Sequence, residues 1–245
     1  MSHALKKKWN TYVWKRPKDV YGEGDFCLFD KIDPSDISQG SCGDCYFLAS
    51  LSSLAEFPNR IQSIFLTKSL NDAGCYAVEL TINGEKRTVV VDDRFPYDQQ
   101  KEDWAMSRTS KSREIWVLIL EKAFAKVFGS YQRIESGNTS EALYPLTGCP
   151  TKFFLHRSID PPTLYSYIKR SNAAGYVMAT ACVSKANEKM NSSPADMKAE
   201  GLVDNHAYSL LSIKTVTDHK TREEVKLLQL RNPYGFREWK GDWSD

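Results

Sequence analysis

Between Asp44 and Glu56 the apolar residues Phe47, Leu48, Leu51, Leu54 and Ala55 recur at helical spacing, and Pro58 closes the segment. This spacing predicts a helix with Cys45 in its first turn. Tyr76–Ile82 and Lys86–Val91 are β-rich runs, and the Asn83-Gly84 pair between them predicts a tight hairpin. Arg113–Phe128 is nearly all apolar through Ile115–Leu120, carries helix-forming Glu121, Lys122 and Ala123, and meets Gly129 where a C′ residue is expected. It predicts a buried central helix. Pro161-Pro162 opens a shorter helix to about Ala174, after which the pattern turns to β over Tyr176–Val183, His206–Val216 and Val225–Leu230. The polar stretch Lys185–Glu200 reads as a mobile surface loop. The N-terminal forty residues, aromatic-rich and broken by Pro17, Gly22, Gly24 and Pro34, read as an ordered, mostly irregular arm.

The pattern is helix-richer in its first half and strand-richer in its second, with a boundary near residues 135–150. Two lobes are therefore expected, 1–138 and 139–245, with a cleft between them. At 245 residues the chain can bury roughly 70–75% of its unfolded surface. Its 33 Lys+Arg against 31 Asp+Glu leave a net charge of only +2, which argues against a bulk electrostatic nucleic-acid binder. The one basic run, Lys6-Lys7-Lys8, reads as a solvated face. The first residues, MSHALKKKW, lack the apolar stretch of a signal peptide, and no window resembles a membrane span. The expectation is a soluble, intracellular, cytoplasmic protein whose six cysteines are mostly free thiols.

Cys45 is the residue whose position carries chemistry. A thiol is a weak nucleophile until ionised, and unpaired N–H groups in the first turn of a helix favour the thiolate. An imidazole would complete the activation. Of the four histidines, His3 lies in the arm, His219 in a turn between strands and His156 in a segment of mixed character. His206 follows Asp204-Asn205 and begins a strand. Asn232 lies 26 residues on, at the end of the next strand. A hairpin would bring His206 and Asn232 to one end of a sheet, where the Asn amide oxygen could fix the imidazole tautomer. Gln39, six residues before Cys45, could turn an amide N–H toward a developing oxyanion beside the Cys45 backbone N–H.

At these residues the chain resembles the catalytic core of the calpain family of papain-like, calcium-dependent cysteine proteases. The matching stretches are QGSCGDCYFLASLSSLAE, VVVDDRFPYD, EIWVLILEKAFAKVFGSY, GLVDNHAYSLLSI and LRNPYGFREWKGDWSD, in the family's order and near its spacing. The resemblance covers residues 29–245 and implies an α+β, papain-like two-lobe fold with the active site in the cleft. It implies Cys45 as nucleophile, His206 as general base and acid, Asn232 as orienter and Gln39 as oxyanion donor. Backbone groups at Gly137 and Asn205 would hold the substrate strand, with Asn205 standing where the family usually has Gly. Tyr46 and Tyr234 stand where the family usually has Trp; Tyr234 would shield the His–Asn hydrogen bond over less area.

The resemblance also implies two calcium ions as cofactors. For the first, Asp36 and Glu114 would supply carboxylates and the segment near Phe29 and Lys31 carbonyls, a hard-cation donor set. For the second, Glu238 and Asp245 would supply early ligands. Set against the family's blocks, the chain stops short of where the β-rich lobe closes, just after Trp243-Ser244-Asp245, and reads as either a piece of a longer calpain or a lobe lacking its last strands and part of its second calcium site; accessory calpain domains would lie outside it. The partners implied are protein or peptide substrates inside the cell.

Competing readings attach to several of these residues. Cys42 and Cys45 form a C-x-x-C, but no preceding βαβ pattern supports a redox site, and no further Cys or His ligands sit at zinc spacing. Asp92-Asp93 reads as a turn with local hydrogen bonds. Glu114 is a favourable acid near a helix start whether or not it binds a metal. The alternative to a protease is a catalytically silent calpain-like module that binds proteins or peptides, supported by the two Trp-to-Tyr changes and Asn205.

Overall fold

The computed structural model describes residues 9, 11–182, 194–219, 221–235 and 237–244, with 194–196 described by backbone alone. Strand β1 (Val13–Lys15) is followed by helix α1 (Pro17–Tyr21), a 3-10 turn at Pro34–Asp36 and strand β2 (Ile37–Ser38). Helices α2 (Cys45–Ala55) and α3 (Pro58–Ile64) lead to strands β3 (Cys75–Ile82), β4 (Glu85–Asp92), β5 (Phe95–Asp98), β6 (Asp103–Trp104) and β7 (Arg108–Thr109). Then come α4 (Trp116–Phe128), α5 (Thr139–Thr147), α6 (Pro161–Ala173), β8 (Met178–Cys182), α7 (Pro194–Ala199), β9 (His206–Thr217) and β10 (Glu224–Arg231). The strands pair in order β1-β5-β6, β2-β7, β3-β4 and β10-β9-β8, every named pair antiparallel. The architecture is α+β.

Helices α2 and α4 form where their apolar stripes predict, and both are buried over most of their length. Phe47, Leu48, Leu51 and Leu54 of α2 pack with Trp116, Ile119, Leu120 and Phe124 of α4 in one core, and Phe47 stacks on Phe124 with centroids 4.5 Å apart. Gly129 ends α4 with φ +104°, a left-handed value that costs a side-chain-bearing residue roughly 1–2 kcal/mol. The β3–β4 hairpin pairs Ile82 with Glu85, so Asn83-Gly84 is a two-residue loop, with both φ values positive as a type I′ turn needs.

Three expectations change. Pro58 begins α3, because proline at the first helical position loses only an N–H that has no intrahelical partner. The central helix starts at Trp116, two residues after Glu114, whose backbone instead bridges to Cys27. Within the stretch expected to be a loop, Pro194–Ala199 is helical; residues 185–193 lie outside the described residues, as does Lys6-Lys7-Lys8.

The β8–β10 sheet docks on α2 through serines. Ser53 Oγ donates to the Met178 carbonyl at 2.7 Å and Ser209 Oγ to the Ala49 carbonyl at 2.8 Å. At the far end of α2, Arg231 pairs with Glu56 at 2.5 Å. These contacts set where the start of β9 stands relative to the first turn of α2. Among the described residues, no helix is long and apolar enough to cross a membrane.

Candidate active site

Cys45 is the first residue of α2, after a glycine-rich approach that only small residues permit. A Cβ on Gly40 would lie 1.9 Å from the Met106 carbonyl oxygen, and Ser41 N–H donates to the Ala105 carbonyl at 2.7 Å. The approach is thereby laid against backbone 105–106. On the other side Ser136 N–H donates to the Gly43 carbonyl at 2.9 Å. This bond sets Gly137 beside the segment that carries Cys45, and a Cβ there would lie 2.6 Å from the Tyr46 ring.

His206 opens β9 and Asn232 follows β10. The antiparallel pairing brings them to the same end of the sheet, where the His206 Nε2 to Asn232 Oδ1 distance is 2.8 Å. Both side chains are buried. Asn232 Oδ1 also accepts the Tyr234 N–H at 3.0 Å, and Asn232 Nδ2 donates to the Arg237 carbonyl at 3.1 Å. The amide is held by three bonds and has one orientation. Since Oδ1 only accepts, His206 carries its proton on Nε2, and Nδ1 is left as an acceptor. That nitrogen is buried and has no hydrogen-bond partner among the described residues.

Tyr234 stacks on the imidazole, with centroids 4.0 Å apart and planes at 23°, and Tyr208 meets it edge-on at 5.1 Å. The Tyr208 hydroxyl accepts the Val203 N–H at 2.8 Å, and burial pushes its pKa up to about 12. Tyr208 lies two residues from His206 on the same strand, so it shares a face with the histidine; that period-two relation was the available signal for it. The Ala207 amide, facing the Cys45 thiol, had no sequence signal.

Burial pushes the Cys45 thiol up from its ordinary value, against the pull of the Ala207, Tyr46 and Cys45 amides. Burial likewise holds His206 below its ordinary value, partly offset by the hydrogen bond to Asn232. For the thiol, desolvation is the largest of these effects and the amides at the helix start oppose it. Asn205, immediately before His206, has φ +53°. This is the left-handed region that Asn adopts more readily than most residues, which accounts for Asn where the family usually has Gly. Gln39 donates from Nε2 to the Cys42 carbonyl at 2.7 Å, and its own N–H donates to the Pro233 carbonyl at 3.2 Å. One of its two amide protons is thus committed within the Gln39–Cys42 turn.

The remaining cysteines give no support to a redox or metal site. All six are free, and Cys42 is buried, its Sγ set 3.5 Å from the Tyr131 carbonyl. Among the described residues no three His, Cys, Asp or Glu side chains gather as metal ligands. Asp92 Oδ1 accepts the Arg94 N–H at 2.8 Å, the local turn expected there.

Asp36 and Glu114 are both buried, and an oxygen of each lies within hydrogen-bonding reach of the Ser112 hydroxyl, whose one proton serves either carboxylate. Asp36 also receives the Ser110 hydroxyl and the Lys111 and Ser112 amides. Glu114 Oε1 receives the Asp30 and Ile32 amides. Two carboxylates converging on one hydroxyl suit a hard cation. Because peptides are trans, amides of residues 30 and 32 that face Glu114 turn the Phe29 and Lys31 carbonyls away from it. Asp36 and Glu114 thus face one hydroxyl, while the Phe29 and Lys31 carbonyls face away from Glu114. Glu238 is described, but Asp245 lies outside the described residues.

The calpain family cysteine protease model matches residues 1–245. The chain is 36% identical over 245 residues to a calpain-type cysteine protease, DEK1, of Zea mays, covering 95% of this chain and 11% of that protein. It is 34% identical over 236 residues to calpain-13 of Rattus norvegicus, covering 95% of this chain and 34% of the relative. It is 35% identical over 236 residues to the calpain-1 catalytic subunit of Mus musculus, covering 95% of this chain and 32% of the relative. The chain thus spans at most about a third of the length of these relatives. A match along its whole length, with a helix-borne Cys45 and a buried His206–Asn232 pair at one sheet end, places this chain in the calpain family of cysteine proteases.

Proposed function

We propose that the chain is a cysteine endopeptidase core that cleaves proteins or peptides by acyl transfer. The observation that carries this reading is His206: one ring nitrogen is fixed by Asn232 and the other is free, on a strand whose next amide faces the Cys45 thiol. Cys45 Sγ attacks the peptide carbonyl carbon as its proton passes to His206 Nδ1. The imidazolium then gives that proton to the leaving amine as the C–N bond breaks. Water, deprotonated by His206, cleaves the resulting thioester and returns the thiol.

The Cys45 backbone N–H and the uncommitted N–H of Gln39 Nε2 are the donors for the oxyanion. Gly137 and Asn205 offer backbone groups to a substrate strand on either side of the thiol, and Tyr234 covers the imidazole. The papain-like division into lobes 1–138 and 139–245 belongs to the same proposal, with α5 crossing the boundary by packing on α2 and β3. Calcium regulation rests on the family and on the Asp36–Glu114 pair; an ion bound there would neutralise two buried carboxylates and join the loops that carry them. The second site, at Glu238 and Asp245, rests on the family alone, as do an intracellular location and accessory domains in a longer chain.

Hydrolysis of a fluorogenic peptide, titrated with calcium and with Cys45→Ala as blank, tests the reading. Cleavage that is lost in Cys45→Ala and rises with calcium is expected. Equal cleavage in chelator and in millimolar calcium removes the calcium clause. No cleavage, together with uniformly slow iodoacetamide labelling of all six cysteines, favours a silent binding module.

A further inference from the structure

Behind the nucleophile lies a polar pair that acyl transfer does not use. Asp44, the residue before Cys45 at the N-cap of α2, is 0% exposed, and Glu121 of α4 is 1% exposed. Their carboxyls meet side chain to side chain. Glu121 receives the Ser107 N–H on both oxygens, at 3.0 and 3.1 Å. No other residue among the described ones donates an N–H to either oxygen of Asp44. Neither residue joins an ion pair among them.

The titratable groups facing the pair are Cys42, Cys45 and Tyr46 of the nucleophile segment, Tyr131 and Glu135 after α4, and Tyr234 after β10. None of these is basic. Two touching carboxylates, shut from water with no cation among the described residues, would each be deeply unfavourable, and two carboxyls hydrogen-bond only when one keeps its proton.

We propose that Asp44 and Glu121 hold one proton between them, Asp44 as donor and Glu121 as acceptor, and that the pair is a positioning device. It ties the first turn of α2 to α4 and keeps negative charge off the residue next to the Cys45 thiol; only this second role rests on Cys45 being the nucleophile. The direction of donation follows from the amides. Glu121 is already served by Ser107 on both oxygens and is the better anion, while Asp44 has no donor from another described residue and is the better acid. Burial raises both carboxyls above their ordinary range. An ionised Asp44 would push the Cys45 thiol up further. The folded state holds a proton the unfolded chain releases, so stability falls as pH rises from the ordinary carboxylate range through the folded values.

Wild type, Asp44→Asn and Glu121→Gln test this. Asparagine keeps a donor at 44 and the charge at 121, so Asp44→Asn is expected to fold and to lose the part of the alkaline fall in Tm that the shared proton causes. Glutamine at 121 reverses the pair and puts the charge on Asp44. The pH midpoint for iodoacetamide alkylation of Cys45, read on its own peptide by mass spectrometry, should then move up, and Asp44→Asn should not raise it. A purely structural contact would lower Tm without moving either pH profile.

An Asp44→Asn chain that does not fold, or whose Tm against pH matches wild type, overturns the shared proton. An unmoved alkylation midpoint in Glu121→Gln overturns the electrostatic role. Should Glu121→Gln not fold, Asp44→Asn carries that arm: its Cys45 should alkylate faster than wild type above the pH at which the wild-type pair loses its proton, and equal rates overturn the role. If Cys45 is not the nucleophile, peptide hydrolysis fails while the difference in Tm profiles persists.

Discussion

The His206–Asn232 bond fixes a tautomer, and its removal has two separable effects. Asn232→Ala leaves a buried imidazole N–H unpaired, which costs about 1–3 kcal/mol. If the full amount falls on the transition state, kcat/KM drops by about 5- to 150-fold. A steady-state assay that finds no loss would remove Asn232 from the mechanism. The second effect is on pH. Burial holds His206 below its ordinary value of 6.5, so the neutral base persists into acid and the acid limb of kcat/KM should lie below pH 6.5. The Asn232 bond raises that value, so the limb moves further down in Asn232→Ala. Folded stability follows the same sign: it is full above pH 6.5 and is lost as pH falls through the folded value, because the unfolded imidazole takes its proton first. At this scale Cys45, His206 and Asn232 were legible, because helix period and hairpin pairing place them. The Asp44–Glu121 pair was not, since Glu121 inside an apolar run reads only as a helix former and its partner comes from a distant segment.

Helices and strands were legible where local chemistry agrees with packing. Asn83-Gly84 and Gly129 mark turns whose backbone other residues resist. Gly129→Ala is expected to cost about 1–2 kcal/mol by the left-handed penalty, measured as a drop in the urea midpoint at constant slope. A neutral substitution would mean the end of α4 can refold locally. What local chemistry does not announce is a change of register. In β9 and β10 the pairing passes from Ser212–Gln229 to Leu210–Leu230, which leaves Leu211 without a partner. A bulge of this kind bends its strand and re-aims the side chains beyond it, here the segment that ends at His206. The apolar pattern through Leu210-Leu211 carries no sign of it. Pro58 illustrates the opposite case, a legible residue with two meanings, since proline both ends helices and begins them.

For the molecule as a whole, the decisive contact is α2 against the β8–β10 sheet, because one carries Cys45 and the other His206 and Asn232. Ser53 and Ser209 bond across it. In the sequence they read as polar interruptions of apolar runs, and only the docked structure gives them acceptors. Each is worth about 0.5–1.5 kcal/mol by the usual net value of a hydrogen bond. The double variant Ser53→Ala, Ser209→Ala should lower stability by about that sum and kcat more than KM, as the thiol and imidazole lose their mutual placement. Unchanged kcat with reduced stability would show that the two parts are aligned by apolar packing alone.

One bond across this junction has a use of its own. The Gln39 amide donates to the Pro233 carbonyl, joining the segment before the nucleophile to the segment after Asn232. Any parting of the two must break it, and Gln39 is buried while it holds. Its proton is therefore a clock: in deuterated water, the rate at which that single amide exchanges counts how often these two segments come apart.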